Sequence, residues 1–154
     1  MKVTGQVTFN ASPEATWQAL LDPGIISQAI PGCQELREVG VDTYTAVLRV
    51  GIGAVSGTYV GKLQISEKIP PWQYSMVFDG TGPQGFVQGA GTARLRAENG
   101  TTVVSYDCQM EIGGLLASVG QRMLEGASRF LIDQMFRKLR GYVERGNAGE
   151  TRSV

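Results

Sequence analysis

The chain opens on an alternation. From Lys2 to Asn10, Val3, Val7 and Phe9 fall on one face with Gly5 among them, and Lys2, Thr4, Gln6 and Thr8 on the other. That period of two predicts a half-buried strand. Ala11-Ser12-Pro13-Glu14 follows as a helix start. Ser12 can cap the first free amides, Pro13 suits the first helical position, and Glu14 complements the positive end of the helix dipole. A short helix to about Leu21 would bury Trp17, Leu20 and Leu21 before Asp22-Pro23 stops it, and a second would carry Ile25, Ile26 and Ile30 up to Pro31-Gly32.

The middle of the chain reads as a meander. Leu36 to Val39 is one strand, turned by Gly40-Val41-Asp42. In the next, Tyr44, Ala46, Leu48, Val50 and Ile52 share a face. A strand from about Ser56 to Lys68 groups Tyr59, Leu63 and Ile65, and Pro70-Pro71 ends it. Tyr74, Met76 and Phe78 alternate next, and a glycine-dotted loop leads into Phe86 to Ala97. Asn99-Gly100 is the strongest hairpin signal. The last strand sets Val104, Tyr106, Cys108, Met110 and Ile112 against Ser105, Asp107, Gln109 and Glu111.

After Gly113-Gly114, residues Leu115 to Arg145 predict one long helix of about 45 Å. Its spacing of three and four places Leu116, Val119, Met123, Ala127 and Phe130 on the face expected to meet the core, continuing through Leu131, Met135, Leu139 and Tyr142. A single domain over residues 1–145 is expected, with a flexible polar tail over 146–154.

Strand, two short helices, six strands and a long helix predict an α+β fold: a seven-stranded curved antiparallel sheet gripping the C-terminal helix. One helix does not fill the hollow of a curled sheet that wide. Gly89, Gly91 and Ala93 share the inward face of their strand, and Gly120, Gly126 and Ala127 thin the helix. Small side chains there either leave an apolar cavity or let the helix approach the sheet closely. The cavity is the reading adopted.

Composition narrows the function. Of 154 residues, 42% are hydrophobic, enough for a core, and 14 basic residues balance 14 acidic ones, which gives no general attraction to nucleic acid. There are no histidines and only two cysteines, Cys33 and Cys108, so the usual general base and metal ligands are missing and neither a catalytic residue, a metal nor a cofactor is expected. Two thiols without a disulfide framework suit the cytoplasm. The first residues are too polar for a signal peptide, and no apolar run spans a membrane.

The expected site is the lining of the cavity. Leu48, Tyr59, Leu63, Met76, Phe78, Tyr106 and Met110 come from the sheet, and Leu116, Val119, Met123 and Phe130 from the helix. Trp17, Ile26 and Ile30, with Ile25, form either a movable lid or ordinary helix packing, and Phe86 either closes the pocket or plugs the core. Methionines suit a pocket that adapts to its guest. Tyr44, Tyr59, Tyr74 and Tyr106 each offer a hydroxyl to a guest's carbonyl or to solvent. Asp79 and Glu111 are expected to face outward.

Several short segments taken in order resemble the carbon monoxide dehydrogenase G-subunit family of the START-like (SRPBCC) helix-grip superfamily. They are Trp17 with Ala19-Leu20-Leu21-Asp22-Pro23, Pro31-Gly32-Cys33, Gly51-Ile52-Gly53, Gly57-Thr58-Tyr59-Val60-Gly61, Gly85-Phe86-Val87-Gln88-Gly89, and Gly113-Gly114 before Gly120-Gln121-Arg122. The resemblance runs from about Lys2 to Val143. It implies a helix-grip fold with a ligand cavity, and a non-enzymatic binder or carrier of a hydrophobic small molecule, a lipophilic quinone being the natural cargo. It also implies partnership with molybdenum hydroxylase subunits of the carbon monoxide dehydrogenase type and peripheral association with the inner face of the membrane. Many relatives carry a C-terminal extension ending in a membrane-binding segment, whereas this sequence ends at Val154. Leu115 stands where relatives often have a polar residue. Two alternatives remain. One is a START-like cyclase, dehydratase or hydrolase, which needs an acid or base inside the cavity, either a tyrosine or an inward carboxylate such as Asp79, Glu35 or Glu111. The other is an assembly or recruitment factor docking through Ile25 and Ile30.

Overall fold

The computed structural model describes the backbone of residues 1–152 and the side chains of residues 1–145. The expected tail, 146–154, has its side chains outside that range.

The chain forms β1 (Lys2–Phe9), α1 (Pro13–Leu21), α2 (Pro23–Ala29), β2 (Cys33–Gly40), β3 (Thr43–Val50), β4 (Gly57–Ile69), β5 (Gln73–Gly82), β6 (Gly85–Glu98), β7 (Thr101–Gly113) and α3 (Gln121–Arg152). Short 3₁₀ segments stand at Gly53–Val55 and Gly114–Val119. The seven strands make one antiparallel sheet in the order β1-β7-β6-β5-β4-β3-β2. Consecutive strands pair as hairpins from β2 to β7, and only β1 joins out of sequence, beside β7. The fold class is the α+β helix-grip arrangement that the pattern predicts.

Local chemistry explains the joints. Ser12 Oγ accepts from the Ala15 amide at 3.1 Å, and Asp22 Oδ1 accepts from Gly24 and Ile25, so each short helix has a side-chain cap ahead of a proline at its first turn. Asn99 and Gly100 both take positive φ, 50° and 79°, the geometry of a two-residue hairpin turn.

The long helix departs from the expected one. Residues Gly114–Val119 form a 3₁₀ segment, Gly120 turns the chain at φ 100°, and α3 begins at Gln121. The left-handed turn at Gly120 breaks the register, so Leu116 and Val119 carry no information about the rotation of the helix that follows. Its core face is Ile132, Met135, Phe136, Leu139 and Val143, with Leu139 fully buried. Met123 and Phe130, expected on the core face, lie on the opposite side and are 59% and 51% exposed. Gly126 also lies in open space rather than against the sheet.

Phe136 holds the helix to the sheet. Its ring stacks on Tyr106 of β7 at 5.5 Å and meets Phe9 of β1 edge-on at 6.2 Å. Glu144 reaches the Asn10 amide after β1, and Tyr142 shares a hydrogen bond with Gln28 of α2. The helix therefore packs chiefly along α1, α2 and β1.

Candidate functional site

The registers place one set of side chains on the concave face. Tyr44 lies opposite Leu63 and Leu63 opposite Phe78; Ile65 faces Met76, and Leu48 faces Tyr59. Across β6 and β7, Gly89 faces Met110, Gly91 faces Cys108, and Ala93 faces Tyr106. The sheet members of the expected lining, Leu48, Tyr59, Leu63, Met76, Phe78, Tyr106 and Met110, thus share one face.

Their burial changes along the strands. At one end Ile65, Tyr74, Ala93, Leu95 and Val104 are buried with Phe9, Trp17, Phe136, Leu139 and Val143. Leu63, Met76 and Tyr106 are half-buried and pack against that cluster, and farther along Tyr59, Phe78 and Met110 are half-buried outside it, although they point to the side the helix occupies. Leu116, buried in the 3₁₀ segment and hydrogen-bonded through its amide to the Gln84 carbonyl, stands beyond them, with Val119 half-buried beside it. Inward apolar side chains that stay solvent-accessible leave this part of the concave face half-covered beyond the packed core.

Glycine shapes the floor. A side chain at Gly91 would come within 2.7 Å of Cys108 Sγ, and one at Gly89 within 2.9 Å of Phe78 Cζ and 3.1 Å of Met110 Cγ. Tyr59 lies in the same way over Gly82. Neighbouring side chains occupy the space over these positions, so the glycines thin the lining without leaving bare holes.

Other expected lining residues belong elsewhere. Phe86 lies on the convex face with Gln88 and Ala90, its ring over Gly113, and neither closes a pocket nor plugs the core. Met123 and Phe130 point away from the sheet. Trp17 belongs to the packed end, where its ring meets Tyr74 edge-on, and is not at a mouth. Ile25 and Ile26 pack against the core, and Ile30 borders a depression of about 450 Å³ with Cys33, Leu36 and Lys138. These isoleucines are half-buried, which leaves little of the docking surface expected of them. A shallower depression of about 590 Å³ on the convex face is lined by Asp79, Gln88, Gln109 and Glu111. Sequence reasoning missed Phe136 and Val143, whose signal was a second stripe running through Ile132, Phe136, Leu139 and Val143.

The electrostatics of this face keep protons in place. Burial pushes the Tyr74 hydroxyl well above the ordinary tyrosine value, with the nearby Cys108 adding to it. Burial also raises Cys108, with Asp107 contributing, and raises Tyr106 with help from Asp133. Glu35, Asp79 and Glu111, the carboxylates considered for an acid or base, are exposed. Glu35 pairs with Arg37, Asp79 accepts the Lys62 amide, and Glu111 accepts from Gln88. Among the described residues no group of three His, Cys, Asp or Glu side chains is placed to hold a metal, and both cysteines are free.

The family model for the G subunit of carbon monoxide dehydrogenase (CoxG) matches residues 5–144. The chain belongs to that family. Among solved structures, the CoxG-family chain is similar to a conserved protein from Geobacillus kaustophilus, with 34% identity, a TM-score of 0.91, and 94% of this chain and 96% of that one covered. A START superfamily protein from Mycobacterium smegmatis shares the fold at 13% identity and TM-score 0.75, covering 94% and 97% of the two chains. Protein CV1439 from Chromobacterium violaceum does so at 15% identity and TM-score 0.73, covering 93% and 96%. No curated protein matches. Among the described residues no helix is long and apolar enough to cross a membrane.

Proposed function

We propose that this CoxG-family chain is a non-enzymatic binder or carrier of a hydrophobic small molecule, seated between the concave face and α3. The observation that carries the reading is the change in burial along the strands, from a closed end at Tyr74 and Val104 to half-buried Leu48, Leu63, Phe78 and Met110. Leaving apolar surface accessible forgoes about 25 cal/mol per Å² of stabilisation, which a bound apolar guest recovers. A lipophilic quinone is the cargo we favour, because it is flat and neutral and carries carbonyl oxygens for the tyrosines.

Membership of the CoxG family supports a role beside a molybdenum hydroxylase of the carbon monoxide dehydrogenase type, in the cytoplasm and at the inner face of the membrane. Native mass spectrometry and organic extraction of the purified protein test the binding. An apolar molecule released in stoichiometric amount is expected. Empty protein that also fails to take up an added quinone overturns the reading. Co-purification with hydroxylase subunits tests the partnership, and persistent solitary behaviour in cells that express them argues against it.

A further inference from the structure

Five tyrosines offer hydroxyls, and the fold commits or solvates most of them. Tyr59 Oη donates to the Val55 carbonyl at 2.8 Å, and Tyr142 Oη pairs with the Gln28 side chain. Tyr44 and Tyr106 are half-buried, within reach of solvent. Tyr74 is different. It is only 6% exposed, its ring rests against Trp17, and among the described residues no group hydrogen-bonds to its oxygen.

Every fully buried polar side-chain atom among the described residues has a hydrogen-bond partner. The Tyr74 oxygen, having none, must therefore border accessible space. Tyr74 projects from the concave face and interacts electrostatically with Cys108, which lies over Gly91. Cys108, and Met76 two residues on along the same face of β5, are half-buried, so the side chains around this oxygen belong to the border between the packed core and the half-covered part of the concave face. A phenol is a strong donor in an apolar place, and what occupies that space is selected for accepting from it.

We propose that Tyr74 is the specificity-determining donor of the concave face, and that it selects neutral apolar guests carrying a carbonyl oxygen at the end that enters first. The inference rests on the ligand-binding reading above and adds to it the chemistry of the guest and the residue that recognises it. The surroundings that hold the Tyr74 proton in place also disfavour a charged guest, because burying an unpaired charge costs more than burying a hydrogen-bonded carbonyl.

A pair of probes of matched shape tests this: 2-acetonaphthone, a ketone, and 2-isopropenylnaphthalene, which replaces the carbonyl oxygen with a methylene. Calorimetric titration into the full chain is expected to show the ketone binding roughly five- to tenfold more tightly, the worth of one neutral hydrogen bond. Tyr74→Phe keeps the ring and its contact with Trp17. It should abolish the preference by lowering ketone affinity to that of the hydrocarbon, and Tyr142→Phe, whose hydroxyl bonds Gln28 of α2 outside the concave face, should retain the preference. A preference that survives Tyr74→Phe, or is absent from the wild type while both probes bind, overturns the role of Tyr74 and leaves the binding function standing. Failure of both probes to bind the wild type overturns the binding function itself. Should Tyr74→Phe not fold, the infrared carbonyl stretch of 13C-labelled 2-acetonaphthone bound to wild type decides. A shift to lower frequency than in heptane supports the donor, and an unshifted band refutes it.

Discussion

Trp17 of α1 meets Tyr74 of β5 edge to face, their ring centroids 5.6 Å apart and their planes at 80°. The contact joins the first helix to the middle of the sheet at the packed end of the concave face. Both residues are in the core cluster, and each carries a polar atom, the Trp17 indole nitrogen and the Tyr74 oxygen, that borders accessible space. Trp17→Ala should therefore cost about 3–5 kcal/mol, the usual penalty for truncating a buried aromatic, read as a lower midpoint in urea denaturation. A loss under about 1 kcal/mol would mean that Trp17 is a mobile cover rather than part of the packed end.

The rotation of α3 makes a second prediction. Met123→Ser and Phe130→Ser should each change stability by less than about 0.5 kcal/mol, because both side chains are more than half exposed. Phe136→Ala removes the ring held between Tyr106 and Phe9 and should cost about 3–5 kcal/mol. Thermal or urea unfolding of the three variants separates this rotation from one that turns Phe130 inward, for which the order of effects reverses.

Leu48 tests the concave face independently of Tyr74. It faces inward opposite Tyr59 and is half-buried. Leu48→Asp should leave the chain folded, as judged by far-UV circular dichroism. It should weaken binding of either naphthalene probe at least tenfold, on the order of 1.4 kcal/mol, because a guest must then cover a carboxylate. Unaltered affinity in a folded variant would move the guest out of the space between β3, β4 and α3.

Alkaline pH should weaken the fold in a defined window. Burial raises Tyr74 above the ordinary 10.0 and Cys108 above 9.0. Each raised group holds its proton in the folded chain at a pH where the unfolded chain has released it. That contribution is fully present below the unfolded value and is lost as pH rises through the folded one. Stability should stay level to about pH 9 and fall above it, and Tyr74→Phe should flatten the part of the decline above pH 10. Denaturant midpoints collected from pH 7 to 11 check this, and equal slopes in wild type and variant would contradict the burial of the Tyr74 hydroxyl.

Much of this architecture was legible in the residue order. Alternation marked the strands, Ser12-Pro13 and Asp22-Pro23 marked the two helix starts, and Asn99-Gly100 marked the hairpin, because each signal depends only on neighbours a few positions apart. The inward faces of β3 to β7 followed from the same alternation, since a strand has only two sides and the apolar one must be covered. The rotation of α3 was not legible. Two overlapping stripes, one through Met123 and Phe130 and one through Ile132, Phe136 and Val143, are both amphipathic, and the turn at Gly120 uncoupled the helix from the residues that seemed to set its phase. The side taken by Phe86 was legible: three residues before Gly89 in one unbroken strand, it falls on the face opposite Gly89, Gly91 and Ala93, so the alternation already set it outside the pocket.

The sequence by itself determined the order of elements, the inward side of most strands and the absence of histidine chemistry, because these are properties of composition and short-range periodicity. Tertiary structure alone decided how far α3 covers the sheet, which inward residues are sealed and which stay accessible, and which of the unpartnered tyrosine hydroxyls is carried by a buried side chain. Those outcomes depend on contacts between segments far apart in the chain, such as Phe136 with Phe9 and Trp17 with Tyr74, and no local pattern records the distance at which two such surfaces come to rest.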